Sequence, residues 1–351
     1  MDGVLLAAFI SYSLFVLAIG VWGYRKESFS EYAVAGRSIG TFLGTGSFVA
    51  TFLSAITVIG ISGYASRYGW SAAAFTCYGY ALGWILLVIA AKKMHRSGLT
   101  TVPEFLRTRY ESTSLGVFSA LVIIGLYSIT LIVQLLGVAI TLNMLIGFAL
   151  PVAILLVGTV FLTYTVLGGL ASVVRTDMIQ AVLMGGGVLL GAIVVIWKTG
   201  FAVISAPPEH LSHFFGGDVM STGDLIGWAL VWGLGIPTQS YYLHRFYASR
   251  TTEVARLQIA LASIIIMVLL LSVIICGVGA GMLIPANQIG DGAFPYLFKN
   301  VIGGWVSLFI LLAVTASVHS TTDGLLHVVG LYFALDVYKS SGTQNSDAQL
   351  L

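Results

Sequence analysis

Charge is what this sequence has least of. Asp, Glu, Lys and Arg make up only 9% of its 351 residues, against about 25% in an ordinary soluble domain. So few charges cannot cover a water-soluble globule, and 58% hydrophobic residues exclude a disordered chain. An excess of basic charge is missing too. The 16 Lys and Arg stand against 14 Asp and Glu, a formal charge of +2, which gives no reason to expect a nucleic-acid partner. Cysteine is scarce: Cys77 and Cys276 both fall in apolar stretches and read as packing residues, not a disulfide framework. The sequence also lacks a His-rich ligand set, paired carboxylates and a nucleophile–base pair, so neither an enzyme nor a resident cofactor is expected.

Long apolar runs are abundant. A membrane helix takes about 20 mainly apolar residues, and nine stretches qualify: 4–24, 40–64, 70–91, 114–146, 149–170, 178–197, 224–243, 257–284 and 304–335. The expected fold class is all-α, a polytopic protein with nine transmembrane helices in a lipid bilayer. The runs are too long, and too continuous, for the alternating strands of a membrane barrel. The first has no Lys or Arg before it and exceeds a signal-peptide core, so it reads as a retained helix. With the N-terminus outside, the outside loops hold only Arg67, Lys198 and Lys299, and the other thirteen of the 16 basic residues lie inside. Among these, Arg25, Lys26, Arg175 and Arg245 mark the inside surface. This bias predicts a plasma-membrane protein with an outside N-terminus and a cytoplasmic C-terminus. Trp22, Trp70, Trp197 and Trp305 sit near span ends, as interface anchors do. His210 and His213 in the long loop 198–223 read as exposed imidazoles. The membrane domain is expected over 1–338, and the polar tail 339–351 is expected to be disordered.

Three spans depart from plain apolar helices. GTFLGTGSFVATFLSAITVIGISGYASRYG (40–69) carries six glycines and many hydroxyls, suited either to close packing or to a break. LIGWALVWGLGIPTQSYYLHRF (225–246) has Pro237 after Gly233 and Gly235; proline removes a backbone donor, and a freed carbonyl in a bilayer must find another partner. Interrupted spans at matching places in two halves point to a transporter with an inverted repeat, here 40–197 and a partial second repeat over 224–338. LLAVTASVHSTTDGLLHVVG (311–330) gathers Ser317, His319, Ser320, Thr321, Thr322, Asp323 and His327. Ser317 lies one turn before Ser320 and Thr321, on one face. These hydroxyls are hard oxygen ligands for a small cation, unless they only bond back to the preceding turn. Asp323 reads as the only formally charged side chain inside a span. Burying it is costly, so it needs a role or a partner. Asp323 and His319 keep proton coupling open.

At this point the residues resemble a family. YTVLGGLASVVRTDMIQ (164–180) is similar to the signature of the sodium:solute symporter family. AGRSIG (35–40), TTVPEFLRTRY (100–110), STTDGLL (320–326) and WGLGIPTQSYYLHRF (232–246) resemble family segments as well. The resemblance covers nearly the whole chain. It implies a leucine-transporter-like fold of five plus five helices, with 4–24 as an extra first helix. It implies a sodium site made by the carbonyls of Ala50, Leu53 and Ser317 and the hydroxyls of Ser320 and Thr321, in agreement with the residue-level reading. It implies a solute site at Phe52, Ser54, Trp232, Ile236, Gln239 and Ser240. Phe52, Ile236 and Ser240 depart from the sodium–proline pattern, which argues against proline as solute. Asp177 matches a family Asp near a second sodium-linked region, but Thr176–Asp177 also reads as a helix start, where a carboxylate caps free N–H groups.

The resemblance also implies that the repeat is incomplete, since the family core has ten helices and this chain carries eight. The chain is therefore expected to be C-terminally truncated and, alone, not to transport at normal rates. The expected function is sodium-coupled uptake of a small organic solute (a carboxylate, amino acid, vitamin or sugar), with sodium as the coupling ion. The rivals are a proton-coupled transporter and a membrane sensor or inactive fragment.

Overall fold

The computed structural model describes residues 2–23, 29–214 and 221–339. Arg25, Lys26 and residues 340–351 of the expected tail lie outside the described residues. Every apolar run became helix. In chain order the helices are α1 (Asp2–Gly23), α2 (Phe29–Val34), α3 (Thr41–Phe52), α4 (Ser62–Tyr68), α5 (Ser71–Arg96), α6 (Val102–Tyr110), α7 (Thr113–Ile146) and α8 (Leu150–Lys198). Then come α9 (Ala202–Ser205), α10 (Glu209–Ser212), α11 (Thr222–Gly235), α12 (Ser240–Ala248), α13 (Thr252–Leu283), α14 (Ala293–Tyr296) and α15 (Gly304–Tyr332). Among the described residues, five helices are long and apolar enough to cross a membrane, and a bent pair makes a sixth. Beta structure is limited, among those residues, to one isolated bridge between Ile39 and Ser249.

Local chemistry sets the helix starts. Thr101 and Glu104 form a reciprocal capping box at α6, and Ser221 and Asp224 form another at α11. Ser112 and Thr251 cap α7 and α13. Each satisfies backbone donors that a helix start leaves open.

Both interrupted spans are broken. The first stops at Phe52, passes through Leu53 in an extended conformation (φ −73°, ψ 91°), and resumes in a π-helical turn, Ile56–Ile61, that runs into α4. Its two halves meet at 53°. The break is made by side chains that outcompete the helix. Thr57 Oγ1 donates to the Phe52 carbonyl at 2.7 Å, and the Thr57 N–H donates to Ser54 Oγ at 3.3 Å. The second span stops at Gly235, makes a single 3-10 turn through Pro237, passes Gln239 in an extended conformation, and resumes as α12.

Two expectations need correction. The runs 149–170 and 178–197 are not separated by a loop. Two helical stretches, together labelled α8, meet directly at Gly169, whose φ of 55° and ψ of −177° are non-helical and suit glycine, and the second runs unbroken through 171–177 to Lys198. Thr176–Asp177 therefore does not begin a helix; it lies inside one, and the N-cap reading of Asp177 falls. The polar triplet Arg175, Thr176, Asp177 lowered the local hydropathy, but Thr176 and Asp177 are buried with partners, so the helix runs on.

The two halves interlock through α8, α13 and α15. Helix α15 packs along α8, while α13 packs on α3, α4, α5 and α8. One close backbone approach is at Gly277, where an added Cβ would lie 2.4 Å from the Ser62 carbonyl oxygen and 2.6 Å from Ala65 Cβ. Gly277→Ala is expected to destabilise by about 1–3 kcal/mol through overpacking. Gly125→Ala, with nothing within 4 Å of the new Cβ, should stabilise slightly, by about 0.4–1 kcal/mol. Thermal unfolding in detergent checks both.

Candidate ion and solute site

A helix that ends inside a bilayer leaves its last carbonyls to be satisfied by something other than water. At the end of α3 all four are accounted for. The Val49 carbonyl accepts the Leu53 N–H at 3.1 Å, and the Phe52 carbonyl accepts the Thr57 hydroxyl. The Ala50 carbonyl accepts Ser320 Oγ at 2.8 Å, and the Thr51 carbonyl accepts Thr321 Oγ1 at 3.0 Å. Both hydroxyls also reach the Ser317 carbonyl, at 3.0 and 3.2 Å. Five neutral oxygens from Ala50, Thr51, Ser317, Ser320 and Thr321 thus converge, with all five residues buried. Sodium takes such hard, uncharged oxygens. Of the five sequence-level ligands, the structure brings together Ala50, Ser317, Ser320 and Thr321. Its hydrogen bonds also put the Thr51 carbonyl beside Thr321.

Next to this cluster is a cavity of about 70 Å³ between the two broken spans. Phe52, Ser54, Trp232, Ile236 and Gln239 line it, as expected. Ser240 does not; its N–H caps the start of α12 by donating to Tyr127 Oη at 2.6 Å. Thr51 and Thr321 belong to both the cavity wall and the oxygen cluster.

One face of α7 closes both breaks, and the sequence reading missed it. Gln134 Oε1 accepts the Ala55 N–H at 3.0 Å, and Tyr127 caps Ser240. Thr130 lies between them and lines the cavity. The spacing i, i+3, i+7 is one helix face. The available signal was a lone glutamine in an otherwise apolar run, since polar side chains inside a span mark function or partners.

Arg245 departs from its expected place at the inside surface. It is not at the surface but 3% exposed, and it forms an ion pair with the fully buried Asp177 at 3.0 Å. Asp323 is therefore not the only charged side chain inside the spans. Arg245 Nε donates to Ser47 Oγ at 2.7 Å, Nη1 to the Tyr241 carbonyl at 2.7 Å, and Nη2 to Thr51 Oγ1. Ser47 Oγ in turn donates to Asp177. The pair thus stands against α3 and touches Thr51.

His319 and Asp323 face a different partner set. Phe161 stacks on His319 with centroids 4.4 Å apart. The Gln180 amide NH2 contacts His319 Nδ1 at 3.0 Å and Tyr12 Oη at 3.0 Å. If Nδ1 accepts from Gln180, the ring proton sits on Nε2, which points at Asp323 Oδ2 3.4 Å away. Thr165 Oγ1 donates to Asp323 Oδ1 at 2.9 Å. These two residues anchor α1 and α8 to the back of the helix that carries Ser320 and Thr321.

A profile of the sodium:solute symporter family matches residues 32–351. The chain belongs to that family. This symporter-family chain is 26% identical over 336 residues to an uncharacterized symporter, YwcA, of Bacillus subtilis (strain 168), covering 90% of this chain and 64% of that protein. It therefore spans less than two thirds of that relative's length. A solved structure described as the substrate-bound outward-open state of a Na+-coupled sialic acid symporter superposes with a TM-score of 0.86. The match covers 99% of this chain and 76% of that one, at 19% identity, so what is shared is the fold. For the family member described here, that agrees with a polytopic all-α membrane protein.

Breaking a buried pair leaves an uncompensated charge and costs about 3–5 kcal/mol. Arg245→Met alone is expected to lose stability on that scale. The double variant Asp177→Asn/Arg245→Met should regain most of it, as read by thermal unfolding.

Proposed function

We propose that this chain forms the ion- and solute-binding core of a sodium-coupled symporter that takes up a small organic solute by alternating access. The observation that carries this reading is the oxygen cluster at the α3 break. Its hydroxyls and the Ser317 carbonyl come from α15, its other two carbonyls from the broken span, and two of its residues also wall the solute cavity. Sodium held there bridges α3 to α15. A bound solute is held between the two broken spans, and neither ligand undergoes covalent chemistry. Coupling follows if each ligand favours the same arrangement of the spans, because linkage makes their effects reciprocal.

The broken spans are read as the first helices of two repeats, 40–197 and 224–338, with α1 outside the repeat. The basic residues orient the chain with its N-terminus outside and its C-terminus in the cytoplasm of a plasma membrane. Asp177 serves in the Arg245 pair that braces α3. His319 and Asp323 serve as the mount of the sodium helix. Family membership supports sodium over the proton-coupled alternative.

A ligand that binds only the folded state stabilises it by RT ln(1 + [L]/Kd), about 2–3 kcal/mol at about 100 times Kd. Sodium at ~100 mM should raise the unfolding temperature relative to matched potassium, as expected for a millimolar site. Ser320→Ala/Thr321→Ala should abolish that sodium increment, measured against the variant's own potassium baseline. A sodium increment that survives in the double variant places the ion elsewhere.

A further inference from the structure

Three side chains that carry N–H donors stand in the wall of the cavity between the broken spans. Gln134 Oε1 accepts the Ala55 N–H. A backbone N–H only donates, so the amide oxygen is fixed on that side, and the Gln134 NH2 is not used by this bond. The same logic fixes Gln239. Tyr127 Oη already accepts the Ser240 N–H, so its own hydrogen goes to Gln239 Oε1 at 3.4 Å, and Gln239 also keeps its NH2. The third group is the Trp232 indole N–H, which is buried and has no hydrogen-bond partner. It can only donate. All three residues line the cavity, and among the described residues that line it there is no Asp, Glu, Lys, Arg or His.

Charge points the same way. The five oxygens of the proposed sodium site are all neutral, so sodium bound there keeps its full positive charge beside the cavity. In a low-dielectric interior a monoanion cancels that charge, an uncharged solute leaves it, and a cation adds to it. An ammonium group cannot use these three donors and would have only hydroxyl oxygens and already bonded amide oxygens to donate to. Size narrows the choice further. At about 70 Å³ the cavity is less than half the ~150 Å³ of an engineered cavity that binds benzene, which admits only a few heavy atoms. Phe52, Tyr80 and Ile236 supply an apolar wall.

Resting on the sodium-symport reading, we propose that the solute is a short-chain monocarboxylate without an ammonium group. Gln134, Gln239 and Trp232 hold its carboxylate next to sodium, and its alkyl tail lies against Phe52, Tyr80 and Ile236.

Thermal unfolding of the purified chain in sodium or matched potassium tests this, with acetate, propionate, propionamide, glycine or glucose added. Propionate or acetate should raise the unfolding temperature beyond sodium alone, and should add nothing in potassium. Propionamide, glycine and glucose should add nothing in either salt. Gln239→Leu should keep the sodium shift, which reports that it folds, and weaken propionate at least ten-fold. Gln134 also caps Ala55, so Trp232→Phe, which removes an N–H with no other partner, is the second variant, with the same expected outcome. An equal response to propionamide or glycine overturns the proposal. So does a propionate effect that ignores sodium, or a sodium shift with no response to either carboxylate. A chain that ignores sodium overturns the symport reading itself, and the solute assignment with it.

Discussion

A backbone carbonyl in hydrocarbon must be given a hydrogen-bond donor or a cation, and the end of α3 is built around that constraint. Four carbonyls emerge from Val49 to Phe52. One is closed by the chain itself, one by Thr57 across the break, and two by hydroxyls from α15. The two that depend on another helix are those that, with the Ser317 carbonyl, form the oxygen cluster. What makes the break tolerable in a membrane is therefore also what gathers these oxygens into one cluster. The second break obeys the same rule with other means, since Thr238 Oγ1 takes the Gly235 carbonyl and Tyr127 takes the Ser240 N–H.

Around this the rest is bracing. The Asp177–Arg245 pair lies entirely within the protein and reaches Thr51 through a guanidinium nitrogen. A buried pair of this kind is weak evidence of net stability, but its bidirectional hydrogen bonds fix where α3 lies relative to α8 and α12. On the far side of α15, Tyr12, Gln180 and Thr165 fix His319 and Asp323. Thr51 is where these systems meet: its carbonyl serves Thr321, its hydroxyl serves Arg245, and it walls the solute cavity.

Much of this was legible in the residues. Apolar run length gave the helices, glycine and proline gave the two breaks, and the Ser320–Thr321 pair gave the hydroxyls that meet the end of α3. The errors share one cause. Hydropathy reads a charged residue as a boundary, so Arg175–Asp177 looked like a loop and Arg245 like a surface marker. A charge whose partner lies on another helix cannot be recognised as buried until the pairing is seen, and Asp177 and Arg245 are 68 residues apart. The α7 face was hidden for a related reason. Tyr127, Thr130 and Gln134 are scattered in a long apolar run, and only the positions of the two breaks give their spacing a meaning.

The short bridge at Ile39 has a mechanical consequence. Ile39 donates its N–H to the Ala248 carbonyl at 3.1 Å and accepts the Arg250 N–H at 3.0 Å. One residue just before α3 is thereby stitched into the chain just after α12, so half of one broken span and half of the other share a main-chain clasp. Any rearrangement that keeps those two bonds carries α3 and α12 as a single lever. The opposite halves, α4 and α11, carry no such clasp to each other among the main-chain bonds of the described residues. The α3–α12 side of the two breaks is thus tied as a pair, while no main-chain bond among the described residues ties α4 to α11.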